Sequence, residues 1–193
     1  MEDDRILDDY ILELTGRDRP KVRFLGTAGG DADAYIDKFH GALSDRTETS
    51  DLRLFSQPSE EPHGWFAVQD VIYMGGGSTA NLLAVWRVHG VDELVREAYE
   101  RGAVLAGVSA GAICWSEAGF IDSFGPLQEL RDGIGSLTGS FTPHYDRETE
   151  RRPILRRALP SGFPGALAAD DFAAVHFADG EVMEERIDTQ VLG

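Results

Sequence analysis

The sequence predicts an α/β fold, an α/β sandwich built on a mostly parallel sheet, with an antiparallel appendage at its C-terminus. Three observations carry this. Short strand-like runs, KVRFLG (21–26), DVIYM (70–74) and the continuously apolar AVLAGV (103–108), alternate with helical patterns. Such strands belong in a parallel sheet covered on both faces. Near the C-terminus the pattern changes to two extended runs around Asp179-Gly180, the signature of a tight β-hairpin.

Taken in order, Ile6, Leu7, Tyr10, Ile11 and Leu14 recur with helical spacing, and Gly16 follows as a C-terminal stop. Lys21 to Gly26 reads as a buried strand closing into the turn Thr27-Ala28-Gly29-Gly30, and an amphipathic helix follows over 32–40. Leu52 to Ser56 is expected as a further strand, and Pro58 to Gly64 as a polar loop. Asp70 to Met74 is a strand that ends in Gly75-Gly76-Gly77-Ser78. Helices are expected over 79–88 and 92–101, stopped by Gly90 and Gly102, then a strand over 103–108 and a helix over 110–116. Phe172 to Phe177 and Glu181 to Glu185 form the hairpin. No repeat and no low-complexity segment interrupts the chain.

Length and composition are those of one domain, 1–193. Of 193 residues, 42% are hydrophobic and 27% charged, enough to bury a core and too apolar for disorder. Eighteen Lys and Arg against 34 Asp and Glu give a formal charge of −16, a field that repels phosphate backbones, so no nucleic-acid partner is expected. No apolar run approaches the roughly 20 residues of a membrane span, and the acidic start MEDDRILDDY lacks the features of a signal peptide. A single cysteine, Cys114, excludes an internal disulfide and a multi-cysteine zinc site. These features fit a reducing cytoplasm.

The stretch richest in chemistry is Gly107-Val108-Ser109-Ala110-Gly111, a G-x-S-x-G pattern between a strand and a helix. A sharp strand-to-helix turn crowds its central residue, which demands small neighbours and pushes the serine hydroxyl out at the end of the strand. The amide of Ala110 follows at the start of the helix, where it can receive an oxyanion. A capping serine in a glycine-rich turn is the bland alternative. Gly75-Gly76-Gly77-Ser78 can supply a second amide, since glycines allow close backbone approach. It is no Walker A loop, because no Gly-Lys-Ser/Thr follows. A serine nucleophile needs a base. Of five histidines, His176 lies inside an apolar strand, His40 and His89 near helix ends, and His63 in the polar loop. His144, in Thr142-Pro143-His144-Tyr145-Asp146, follows an extended segment and is the best candidate.

Gly107 to Trp115 (GVSAGAICW), the upstream Met74 to Ser78 (MGGGS) and Pro143 to Asp146 (PHYD) together resemble peptidase E, the aspartyl dipeptidases and their short relatives. The resemblance spans most of the chain and implies a three-layer α/β/α sandwich of the class I glutamine amidotransferase-like type. It implies Ser109 as nucleophile, His144 as base, and the amides of Gly77 and Ala110 as the oxyanion hole. The implied activity is hydrolysis of dipeptides with an N-terminal aspartate, without metal or other cofactor, so the expected partner is a small peptide. Homo-oligomerisation is left open. Three carboxylates are candidates for the third triad member, with Glu117 first, Asp122 second and Asp146 third. Arg151 and Arg152 are the candidates for binding the substrate carboxylate, from a cluster with Arg147, Arg156 and Arg157. Cys114 is expected to pack in the core. Glutamine amidotransferases carry cysteine at the elbow, so serine there argues against glutaminase chemistry.

Other readings remain. Short relatives could trim C-terminal residues instead. An α/β-hydrolase esterase shares the elbow, but the chain is short and lacks an HGGG-type motif. A small-molecule-binding protein without turnover would keep the fold and leave Ser109 inert.

Overall fold

The computed structural model describes residues 5–56 and 62–187, and the chain divides into two units, residues 11–112 and residues 1–10 with 113–193. The first helix, α1 (Ile6–Glu13), ends where Gly16 takes a left-handed φ of 62°.

The unit of residues 11–112 is a parallel α/β arrangement. Its strands β1 (Lys21–Leu25), β2 (Glu48–Leu52), β3 (Val71–Met74) and β4 (Val104–Gly107) lie in the order β2-β1-β3-β4, all parallel. Interior strands are apolar because helices cover them: Val22, Phe24 and Val71 pack with Ile36, Phe39 and Leu43 of α2 (Asp33–Leu43). Strand β2 is polar, and it begins four residues earlier than the Leu52–Ser56 strand expected. It is an edge strand that, among the described residues, pairs only with β1. It stops at Leu52 because the amides of Leu54 and Phe55 turn instead to the Asp31 carboxylate. Residues 58–61 of the expected loop lie outside the described residues, and Pro62–Phe66 forms a short helix α3 rather than continuing it. Helix α4 (Thr79–His89) is capped by Ser78, whose hydroxyl accepts from the Asn81 amide, and is stopped by Gly90 at φ 68°. In α5 (Val91–Glu100), Val91, Leu94, Val95 and Ala98 recur at helical spacing and are all buried.

The expected elbow helix is shorter than 110–116. Helix α6 covers only Ala110–Ile113, and Ser116 already opens strand β5 (Ser116–Ile121). The carbonyls of Cys114, Trp115 and Ser116 accept from Ile134, Leu137 and Gly135, which draws the chain out of the helix. In the unit containing residues 113–193, β5, β6 (Gln128–Leu130), β7 (Leu137–Thr142) and β8 (Ala166–Ala168) form a second sheet, in the order β6-β5-β7-β8. Only the β5·β6 pair is antiparallel. The parallel strands are thus divided between two four-stranded sheets. Helix α7 (Arg151–Ala158) buries Leu155 and Ala158 against Ala118, Phe120 and Phe163. The hairpin joins β9 (Ala173–Ala178) to β10 (Glu181–Ile187), and Asp179 and Gly180 turn it with φ of 52° and 82°. Positive φ at both central residues is the type I′ geometry that Asp-Gly favours. No helix among the described residues is long and apolar enough to cross a membrane.

Candidate active site

In the unit of residues 11–112, three neighbouring parallel strands deliver their following loops to one end of the sheet: Gly26–Asp31 after β1, Gly75–Ser78 after β3, and Val108-Ser109 after β4. Open α/β sheets place their ligands at this carboxyl end. Ser109 stands there with φ of 54°, a left-handed conformation that costs a non-glycine residue roughly 1–2 kcal/mol. The turn is closed by Gly111 N–H to Val108 O at 3.0 Å and Ala112 N–H to Ser109 O at 2.9 Å.

The small residues around Ser109 are sterically required. A Cβ on Gly107 would lie 2.1 Å from Gly111 O, and one on Gly111 would lie 2.5 Å from Met74 O. Gly76 lies against the serine, since a Cβ there would meet Ser109 Cβ at 3.3 Å and its hydroxyl at 3.9 Å. Its amide donates to the Tyr35 hydroxyl at 2.9 Å. Gly77 has φ of 139°, and a Cβ on it would strike Ala28 O at 2.2 Å. Ser78 N–H donates to the same Ala28 carbonyl at 2.8 Å, which holds the glycine turn on the loop after β1. The amides of Gly77 and Ala110, the two expected oxyanion donors, have no acceptor among the described residues.

His144 lies in the other unit, just past β7, and it too is left-handed, with φ of 56°. Pairing beyond β8 fixes its place: Ala169 N–H donates to Thr142 O, and Tyr145 N–H to Ala169 O. Its ring nitrogen Nδ1 is 2.5 Å from Oδ1 of Asp171. A carboxylate acceptor makes Nδ1 the protonated nitrogen and leaves the Nε2 lone pair as the basic one. Arg147 donates to the other oxygen, Oδ2, at 2.9 Å, and the Asp171 amide donates to Asp146 Oδ1 at 2.9 Å. Burial alone would raise the Asp171 carboxyl, but the hydrogen bonds from His144 and Arg147 outweigh it and hold the group below the usual carboxylate range.

The carboxylate on this imidazole is therefore Asp171, a residue the sequence reading did not single out. Glu117 sits on β5 rather than at the end of the elbow helix, and accepts from the Gly139 amide at 2.9 Å. The register passes from Ser116↔Leu137 to Ala118↔Ser140, so Thr138 and Gly139 face Glu117 across a bulge, and its carboxylate satisfies a buried N–H that the ladder leaves over. Asp122 is exposed, in the turn that leads to β6, where its carbonyl accepts from Gly125. Asp146 lies beside the pair but bonds the backbone of Asp171. No local spacing announces Asp171. Its only signal is an acidic doublet, Asp170-Asp171, ahead of the predicted hairpin.

The two arginines separate. Arg151 is buried, 3% exposed, with Nε on Glu148 at 2.7 Å and a guanidinium nitrogen on Phe120 O at 3.0 Å. Its cation ties α7 to β5 and is closed to a ligand, which corrects the expectation that it binds substrate. Arg152 is exposed, donates to Tyr145 O and lies over the Tyr145 ring, 4.7 Å from its centroid. Two of the other histidines have partners elsewhere: His40 meets Thr49 and Asp51, and His176 meets the Tyr10 hydroxyl at 2.8 Å. Cys114 is fully buried, and burial pushes its thiol far above the ordinary range.

Comparison with known proteins identifies the family and the fold. The model of peptidase family S51 matches residues 1–184, across both units. The chain is 45% identical over 187 residues to peptidase YgaJ of Bacillus subtilis (strain 168), itself uncharacterised, covering 95% of this chain and 81% of that one. Two solved structures share the fold. A candidate peptidase E from Listeria monocytogenes EGD-e superposes with a TM-score of 0.71 at 21% identity, over 93% of this chain and 92% of the other. A peptidase from an acI-B1 Actinobacterium gives 0.69 at 18% identity, over 94% and 79%. A family match of this extent, with a serine elbow in place, leaves one assignment: the chain belongs to peptidase family S51 and is a hydrolase of the serine peptidase type.

Proposed function

We propose that the protein hydrolyses short peptides, dipeptides with an N-terminal aspartate first among them, through an acyl-enzyme on Ser109. The observation that carries this is Ser109 itself, a non-glycine residue held left-handed in an elbow whose glycines have no room for a Cβ. Strain of this kind is kept where the position has work to do.

In this reading His144 takes the Ser109 proton on Nε2 as Oγ attacks the scissile carbonyl. The amides of Gly77 and Ala110 receive the charge on its oxygen. The C–N bond breaks, and the imidazolium gives its proton to the leaving amine. Water, deprotonated by His144, then attacks the ester and releases the acid, and Ser109 regains its proton. Asp171 holds the Nδ1–H tautomer and stabilises the imidazolium, the role first expected of Glu117. An N-terminal aspartate needs a cation for its side chain, and of the two candidates Arg151 and Arg152 it is Arg152 that is exposed.

A panel of dipeptides, incubated with wild type and Ser109→Ala, tests the proposal. Cleavage confined to Asp-Xaa peptides and lost in the variant supports it. Hydrolysis that survives Ser109→Ala, or a folded wild type whose Ser109 resists a fluorophosphonate, defeats it.

A further inference from the structure

The segment that presents His144 and the one that presents Asp171 hold each other by four bonds. Two are backbone anchors, Tyr145 N–H to Ala169 O at 3.1 Å and Asp171 N–H to Asp146 Oδ1 at 2.9 Å. The other two share one carboxylate, with His144 on Oδ1 and Arg147 on Oδ2. The Asp171 side chain is 13% exposed and that of Arg147 is 71% exposed. The guanidinium thus reaches in from solvent onto a sheltered carboxylate.

We propose that Arg147 is a positioning residue for the hydrolysis proposed above, on which this inference rests. A carboxylate held at one oxygen can rotate about its Cβ–Cγ bond. Held at both, it keeps Oδ1 directed at His144, as outer groups fix the ligands they bond. The arginine also sets the strength of the pair. Its positive charge offsets part of the field by which Asp171 favours the imidazolium. The charged groups around the pair are Asp146, Arg147 and Glu148 on the same turn, Asp170 beside Asp171, and Arg151 and Arg152 on α7. Glu148 is matched by Arg151, and Arg152 is held over Tyr145. Arg147 is the cation bonded to Asp171 directly.

The test compares wild type, Arg147→Gln and Arg147→Lys by the pH profile of Asp-Leu hydrolysis and by an NMR titration of the His144 ring. In Arg147→Gln, kcat falls about three- to tenfold with KM unchanged, because a swinging carboxylate orients the base less well. Its acid limb moves up by about half a pH unit, because a cation that opposed the imidazolium is gone. Arg147→Lys returns the limb towards wild type but not all of kcat, since an ammonium replaces the charge and not the planar fork. The ring titration moves as the acid limb does. A limb and a ring titration that stay put in Arg147→Gln overturn the inference, and so does a change confined to KM, which would make Arg147 a substrate contact. The ring titration needs no turnover, so it decides this inference even where failure of Ser109→Ala to abolish hydrolysis has already removed the parent proposal.

Discussion

His144 and Asp171 are 27 residues apart in sequence and 2.5 Å apart at Nδ1 and Oδ1. What joins them is the pairing that continues past β7 and β8, through Ala169 to Thr142 and Tyr145 to Ala169. The contact is a product of the sheet and not of any local motif. Its chemical content is a fixed tautomer, in which Nδ1 carries the proton and Nε2 the lone pair.

This geometry separates the carboxylates by experiment. Asp171→Asn presents an amide to Nδ1 and is expected to lower kcat by about 10²- to 10⁴-fold without unfolding the chain. Glu117→Ala is expected to do the reverse, costing about 1–2 kcal/mol of stability by leaving the buried Gly139 amide unpaired. Activity per folded molecule should then change little. Steady-state kinetics and urea unfolding on both variants check the assignment.

The strain at Ser109 should be measurable as stability. Ser109→Ala and Ser109→Gly both remove the hydroxyl and are expected to be inactive. Only glycine relieves the left-handed backbone, so Ser109→Gly should be more stable than Ser109→Ala by about 1 kcal/mol. Equal urea midpoints would show that the elbow carries no strain.

Glycines divide into those that need space and those that need only φ. Gly107→Ala drives a methyl to 2.1 Å from the Gly111 carbonyl, backbone against backbone, and is expected to cost about 3 kcal/mol and most of the activity. Gly16→Ala meets nothing within 4 Å and pays only for its φ of 62°, about 1 kcal/mol, with activity intact. Thermal melts of the two variants test the contrast.

Acid should weaken the fold through two carboxylates in particular. Asp171 and Asp51 are held below the usual range: burial opposes ionisation in each, and the bonds from His144 and Arg147, or from His40 and Arg53, prevail. A depressed carboxylate stabilises the folded state fully above its unfolded pKa, near 4, and loses that contribution as pH falls through its lower folded value. The stability gap between wild type and Asp171→Asn should therefore narrow as pH drops from 7 to 3. A gap independent of pH would count against the ion pair.

Sequence patterns were a good guide where burial on both faces leaves a continuous apolar run, as in β3 and β4. They failed at β2, where an edge strand of Glu, Thr, Ser and Asp carries no such mark. They also missed β5, β6 and β8, because SEAGFI, QEL and ALA are short or polar and take their shape from neighbours. The bend at Ser109 was legible because its steric demands fall within five consecutive residues. Asp171 was not, because its partner is set by strand pairing. Arg151 misled for a related reason: a guanidinium that ties a helix to a strand carbonyl looks, in a sequence, like any arginine near a histidine.

The sealed position of Cys114 makes the chain a convenient host for a reporter. Its own sulfur is out of reach of alkylating or disulfide-forming reagents, so Ser109→Cys would carry a single reactive thiol, placed at the bend itself. Labelling rates at that atom, followed with pH or with peptides added, would read the surroundings of the elbow one site at a time, with no background from the rest of the protein.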